Sequence, residues 1–192
     1  APSMLNSIHD SHIEALDSVF TIADGIAVKQ PGSLTYELCS RYVDEIVTVT
    51  DDEISAAILA LMERHKLVTE GAGAVAVAAA MFGKVDLAGK KAVCLLSGGN
   101  IDVTILSRVI ARGLLMSGRS CQLLIELVDK PGQLMQVSEI IAREGGNVTA
   151  VFHEHTCEGA DVNGCYLRLT LETRNFDHIK AYWVMYGKSV AE

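Results

Sequence analysis

Ile54, Ala57, Ile58, Leu61 and His65 recur at helical spacing, so this stretch predicts a helix with one inward face. Its start is marked by Thr50-Asp51-Asp52-Glu53, in which the Thr50 hydroxyl can accept one free N–H and the Glu53 carboxylate can reach back. Just before it, the β-branched run Glu45–Val49 predicts a strand. Pro31-Gly32 predicts a turn, followed by a helix from Leu34 to Tyr42, and the first twenty residues read as irregular. Val75–Phe82 is apolar on every side and predicts a helix buried against other elements. Asp86–Gly89 is a turn, Ala92–Leu96 a buried strand, and Ile101–Ser117 a helix with Gly118 as its left-handed C-cap.

After Gly118-Arg119-Ser120 the rhythm changes. Cys121–Val128 predicts a strand, Asp129-Lys130-Pro131-Gly132 a turn, and Gln133–Glu144 a helix with Leu134, Val137, Ile140 and Ile141 inward. Gly145-Gly146 stops that helix. A strand over Asn147–Thr156, a hairpin connection over Glu158–Gly164 and an alternating strand over Tyr166–Glu172 follow. A helix over Phe176–Met185 and a last strand beginning at Ser189-Val190 complete a βαββαβ order, the ferredoxin-like split βαβ. The pattern therefore predicts an α/β chain of two domains, residues 1–118 and residues 119–192.

Composition narrows the function classes. With 49% hydrophobic residues but only 5% aromatic, the core must be built from Ala, Val, Ile and Leu. A formal charge of −8 without a basic run argues against a nucleic-acid partner. No apolar stretch is long enough to span a bilayer, and no secretory signal opens the chain. Five scattered cysteines without a C-x-x-C pair read as reduced packing residues of a cytoplasmic protein, Cys94 in a buried strand and Cys39 on a helix. The opening Ala1-Pro2-Ser3-Met4 has no initiator methionine and reads as a chain that continues upstream.

Lys91–Asp102 carries the sharpest chemical signal. A buried strand, the turn Ser97-Gly98-Gly99-Asn100 and a helix place free N–H groups and one neutral hydroxyl at a strand's carboxyl end, where ligands of open α/β sheets sit. No G-x-G-x-x-G is present, so the turn favours a compact ligand over a dinucleotide. A helix-entry turn without a ligand fits the same local sequence.

Thr21-Ile22-Ala23-Asp24-Gly25-Ile26-Ala27-Val28, Glu70-Gly71-Ala72-Gly73-Ala74 and Leu96-Ser97-Gly98-Gly99-Asn100 occur in an order and spacing that resemble the C-terminal part of the catalytic domain of the threonine ammonia-lyases. These are pyridoxal-phosphate enzymes of the tryptophan-synthase-β-like class. Residues 119–192, with Asp129–Leu134, resemble an ACT regulatory domain. The resemblance implies a partial three-layer fold-type II large domain followed by the βαββαβ module. It implies conversion of L-threonine (or serine) to the 2-oxo acid and ammonia.

By the same resemblance Ser97 faces the cofactor's pyridine nitrogen, Gly98, Gly99 and Asn100 line the ring edge, Glu70 lies near the ring and Gly25 lets a loop pass close to it. Read without the family, Glu70 is a helix N-terminal carboxylate favoured by the dipole, and Gly25 is a turn glycine. The family's Schiff-base lysine and phosphate loop precede residue 1, so no catalytic residue is named and this chain alone is expected to be inactive. A stand-alone amino-acid-binding module is the alternative.

For the C-terminal part, the resemblance implies an amino-acid or nucleotide effector held by Asp129, Pro131, Gly132, Gln133 and Leu134, with Asn147 and Val148 facing it. The helix N-terminus at Gln133 would present N–H groups to a carboxylate. No metal is named: His9, Asp10, His12 and Glu14 read as solvated, and His153 and His155 as structural or partly exposed. Apolar faces at Val75–Phe82 and Ala92–Leu96 predict a homo-oligomer, with paired ACT sheets as one way of covering them.

Overall fold

The computed structural model describes residues 1–155 and 164–186. The chain divides into two compact units, Ala1–Gly113 and Leu114–Glu192. The first holds helices α1 (Ser3–His9), α2 (Ser33–Tyr42), α3 (Asp51–Ala60), α4 (Gly71–Met81) and most of α5 (Val103–Met116). The second holds β1 (Ser120–Val128), α6 (Gln133–Glu144), β2 (Asn147–Glu154), β3 (Gly164–Glu172) and α7 (Phe176–Tyr186).

In the first unit α3 begins where the capping pattern places it. The Glu53 N–H donates to the Thr50 hydroxyl at 3.3 Å, and the Thr50 N–H donates to the Glu53 carboxylate at 2.8 Å. Ile54, Ala57, Ile58 and Leu61 pack inward with Ala74, Ala78 and Val109. His65 does not join them and is exposed. The helix runs into a π turn at Leu61–His65, whose wider loops rotate later positions off the inner face.

Helix α4 is buried over its first turn and at Ala78, whereas Met81 and the following Phe82 are exposed. Helix α5 starts at Val103, two residues after the expected Ile101. Asp102 is its cap: the carboxylate accepts from the Thr104 N–H at 2.7 Å and from its hydroxyl at 2.5 Å. The opening segment, expected to be irregular, holds α1.

Two expected strands, Glu45–Val49 and Ala92–Leu96, join no ladder among the described residues. A strand exists only through a neighbour that takes its N–H and C=O groups, and no described segment of this unit is offered as one. Ala92–Leu96 is consequently not buried: Val93 is 96% and Leu95 76% exposed, and Cys94 is exposed as well. The layered sheet expected of the large domain is therefore not formed by these residues, and the unit is helical.

The second unit has the expected element order through its second helix. Its strands form an antiparallel sheet in the order β1-β3-β2, with Leu123 opposite Leu169 and Val151 opposite Leu169 on the other side. This is the arrangement of a split βαβ, in which β1 and β2 run parallel with β3 between them. Cys121, Leu123, Ile125, Leu167, Leu169 and Leu171 face Val137 and Ile141 of α6 and Ile179 and Tyr182 of α7. The hairpin at 158–163 and the last strand at 189–190 lie outside the described residues.

The division of the units falls inside α5 rather than at Gly118. The Arg119 N–H donates to the Leu114 carbonyl at 2.8 Å, and the Thr173 hydroxyl donates to the Gly118 carbonyl at 2.7 Å, which ties the helix's last turn to the second unit. Gly118 itself takes the expected positive φ, 67°.

Candidate functional site

Three segments far apart in sequence converge at the N-terminus of α4. Glu70 is the helix's N-cap residue, and its N–H donates to the Gly98 carbonyl at 3.1 Å. Its carboxylate lies flat against Gly98: a Cβ added there would sit 2.5 Å from Glu70 Cδ and 2.6 Å from both carboxylate oxygens. A Cβ on Gly25 would stand 3.3 Å from Glu70 Oε1 and 3.2 Å from Ala72 Cβ.

The Gly25 loop is held from below. Asp51, at the start of α3, accepts from the Thr21 hydroxyl at 2.5 Å and from the Ile22 N–H at 3.3 Å. Beside Glu70, the Thr69 hydroxyl is buried and has no hydrogen-bond partner among the described residues. Ser97, Gly99 and Asn100 are exposed, and Gly98 is half-buried.

The site thus brings Gly25, Glu70 and Gly98 together, with Ser97 on the adjoining exposed turn. Four lysines of this unit are engaged elsewhere: Lys29 with the Asp17 carbonyl, Lys66 with the Glu63 carbonyl, Lys84 with Glu53 and Lys90 with the Asp86 carbonyl.

A second concavity lies in the C-terminal unit. It has a volume of about 330 Å³ and is lined by Asp129, Pro131, Gly132, Gln133 and Leu134, with Leu127, His153 and Cys165 behind them. Gly132 takes φ 92°, the left-handed region that favours glycine, immediately before α6. Burial and the nearby Asp129 charge push the Cys165 thiol up from its ordinary value.

Asn147 and Val148 do not line this cavity. Because β2 runs parallel to β1, its start is level with Ser120, whereas the Asp129 loop leaves the other end of the sheet. Asn147 instead donates to Glu172 at 2.8 Å. The end of β2 supplies His153 to the cavity. The alternating His153-Glu154-His155 pattern was the available signal, and only the sheet register gives it this position.

The family description for pyridoxal-phosphate dependent enzymes matches residues 1–98. The chain belongs to this family. It is 44% identical to an L-threonine ammonia-lyase of Thermotoga maritima over 93% of this chain and 44% of that protein. A Geobacter sulfurreducens L-threonine ammonia-lyase is also 44% identical, over 94% of this chain and 45% of its own length. The chain spans less than half the length of these curated relatives. The processed form of threonine deaminase isoform 2 from Solanum lycopersicum superposes with a TM-score of 0.55 and 36% identity, over 60% of this chain and 32% of that one.

The family's cofactor is pyridoxal phosphate, and the N-terminal site fits part of it. The buried Thr69 hydroxyl without a partner among the described residues and the exposed, neutral Ser97 are polar groups that suit the edge of an aromatic ring, while the Glu70 carboxylate occupies the space against Gly98. Within the described part of this unit, no helix is long and apolar enough to cross a membrane.

Proposed function

We propose that this chain is part of a threonine (serine) ammonia-lyase that converts L-threonine to 2-oxobutyrate and ammonia, with an ACT domain over residues 119–192 that binds a small effector. The observation that carries the reading is the packing of the Glu70 carboxylate onto Gly98 and close to Gly25. These are the three segments whose order resembles the family, and they meet at one point. The names and coverage of the relatives support it, since the similarity to two L-threonine ammonia-lyases runs through both units.

When bound, pyridoxal phosphate supplies an electron sink for bond cleavage next to the substrate nitrogen. The residues of this chain hold its ring side. Ser97 would offer a neutral hydroxyl to the pyridine nitrogen, a donor that would leave that nitrogen unprotonated, temper the sink and suit β-elimination. Gly98, Gly99 and Asn100 would line the ring edge, with Glu70, whose N–H donates to the Gly98 carbonyl, beside it. Lys29, Lys66, Lys84 and Lys90 are engaged elsewhere and the resemblance places no Schiff-base lysine in this chain, so the chain by itself is expected to release no 2-oxobutyrate from L-threonine with added pyridoxal phosphate. The full-length protein is expected to do so. Turnover by the isolated chain would overturn the inactive-piece reading; failure of the full-length protein would overturn the ammonia-lyase reading.

The C-terminal cavity supports the effector reading. Its volume suits an amino acid, and the N–H groups at the start of α6 suit a carboxylate. Calorimetry with isoleucine, valine, threonine, serine, AMP and ADP is expected to show saturable heat for one of them, lost in Gly132→Val. Binding without any turnover by the full-length protein would instead favour the stand-alone sensor.

A further inference from the structure

In the lining of the C-terminal cavity, Asp129, His153 and Cys165 each offer one donor atom, and those atoms lie within 4.8 Å of one another. Three elements bring them there. Asp129 follows the last residue of β1, His153 stands near the end of β2, and Cys165 is the second residue of β3, opposite Leu127. Cys165 is 1% exposed and fixed in the sheet, whereas Asp129 and His153 are exposed and able to rotate. A fourth candidate is close: His155 Nδ1 lies 3.2 Å from Asp129 Oδ2, and its ring centroid is 4.4 Å from that of His153.

The geometry points to a divalent zinc-type metal site formed by Asp129, His153 and Cys165. The donor set decides the class of ion. One thiol sulfur, one imidazole nitrogen and one carboxylate oxygen suit a borderline-soft ion such as Zn²⁺, whereas Mg²⁺ and Ca²⁺ take oxygen donors. Metal–ligand bonds are about 2.0–2.3 Å long, and the two exposed side chains can adjust by rotation to meet them.

On binding, a bond forms between the metal and Cys165 Sγ, and the thiol proton leaves to solvent; no electron is transferred. His155, paired with Asp129, stands as an outer partner for the carboxylate once that has turned to the metal. Three protein ligands leave a fourth position for water or for a donor atom of a molecule in the cavity. The inference does not rest on the ammonia-lyase reading.

The test uses the full chain stripped with a chelator, without threonine or pyridoxal phosphate. Cobalt(II) and zinc are titrated in, with absorbance, bound metal and released protons followed. The expected result is one metal per chain, a thiolate-to-cobalt charge-transfer band that Cys165→Ser abolishes, and proton release. His153→Gln and Asp129→Asn, both at exposed positions, are each expected to weaken zinc binding by at least about tenfold. A cobalt complex without the thiolate band, or zinc affinity unchanged in both surface variants, would overturn the site. Neither result touches the turnover assay of the full-length protein.

Discussion

Gly98→Ala is expected to leave the melting temperature almost unchanged and to weaken pyridoxal-phosphate binding in the full-length protein. The three atoms nearest the added Cβ all belong to the carboxylate end of Glu70, which can swing away, but the swing removes Glu70 from Gly98. Cofactor absorbance against concentration, alongside a thermal melt, separates these two effects. Asp52 and Arg112 form a two-point pair, Nε to Oδ1 at 2.7 Å and Nη2 to Oδ2 at 2.9 Å. Hydrogen bonding to Arg112 holds the Asp52 carboxyl below its usual range. A carboxyl lowered by folding stabilises above its unfolded value, about 3.9, and that contribution disappears as pH falls through the lower folded value. Asp52→Asn is therefore expected to lower the melting temperature slightly at neutral pH and not at strongly acidic pH. Both partners are half-exposed, so the effect is small and shrinks in high salt.

Helix α3 depends on its cap. Thr50→Ala removes the acceptor of the Glu53 N–H and half of the reciprocal pair, and is expected to cost about 1 kcal/mol in denaturant unfolding. The sheet of the second unit depends on its central strand. Leu169 is fully buried between the two helices and the flanking strands, and Leu169→Ala is expected to cost about 2–5 kcal/mol by lost contacts and the cavity left behind. Unchanged unfolding midpoints in these variants would contradict the packing described. Elements set by local chemistry were readable in advance: the Thr50 capping box, the Gly118 cap, and the alternation of Leu167, Leu169 and Leu171. Glu45–Val49 and Ala92–Leu96 were not, because strand residues look alike whether or not a neighbour is present to pair with them.

For the molecule as a whole, the exposed side chains Val93, Leu95, Met81 and Phe82 present apolar surface that water does not favour. Sedimentation is expected to show self-association, and Val93→Ser with Leu95→Ser is expected to reduce it. A concentration-independent monomer would remove this expectation.

The sequence by itself determined what depends on near neighbours: most helix positions, the caps, the βαββα order and the turn residues at Gly25, Glu70 and Gly98. These follow from backbone preference and from spacing that repeats within a few residues. Only the tertiary structure decided which of them meet. It set the Glu70 carboxylate onto Gly98, moved Asn147 and Val148 away from the Asp129 loop, and brought His153 and Cys165 to it. Loop contacts between distant segments cause the first result, and strand register with the parallel course of β1 and β2 causes the others; none of these is written in the spacing of any single segment.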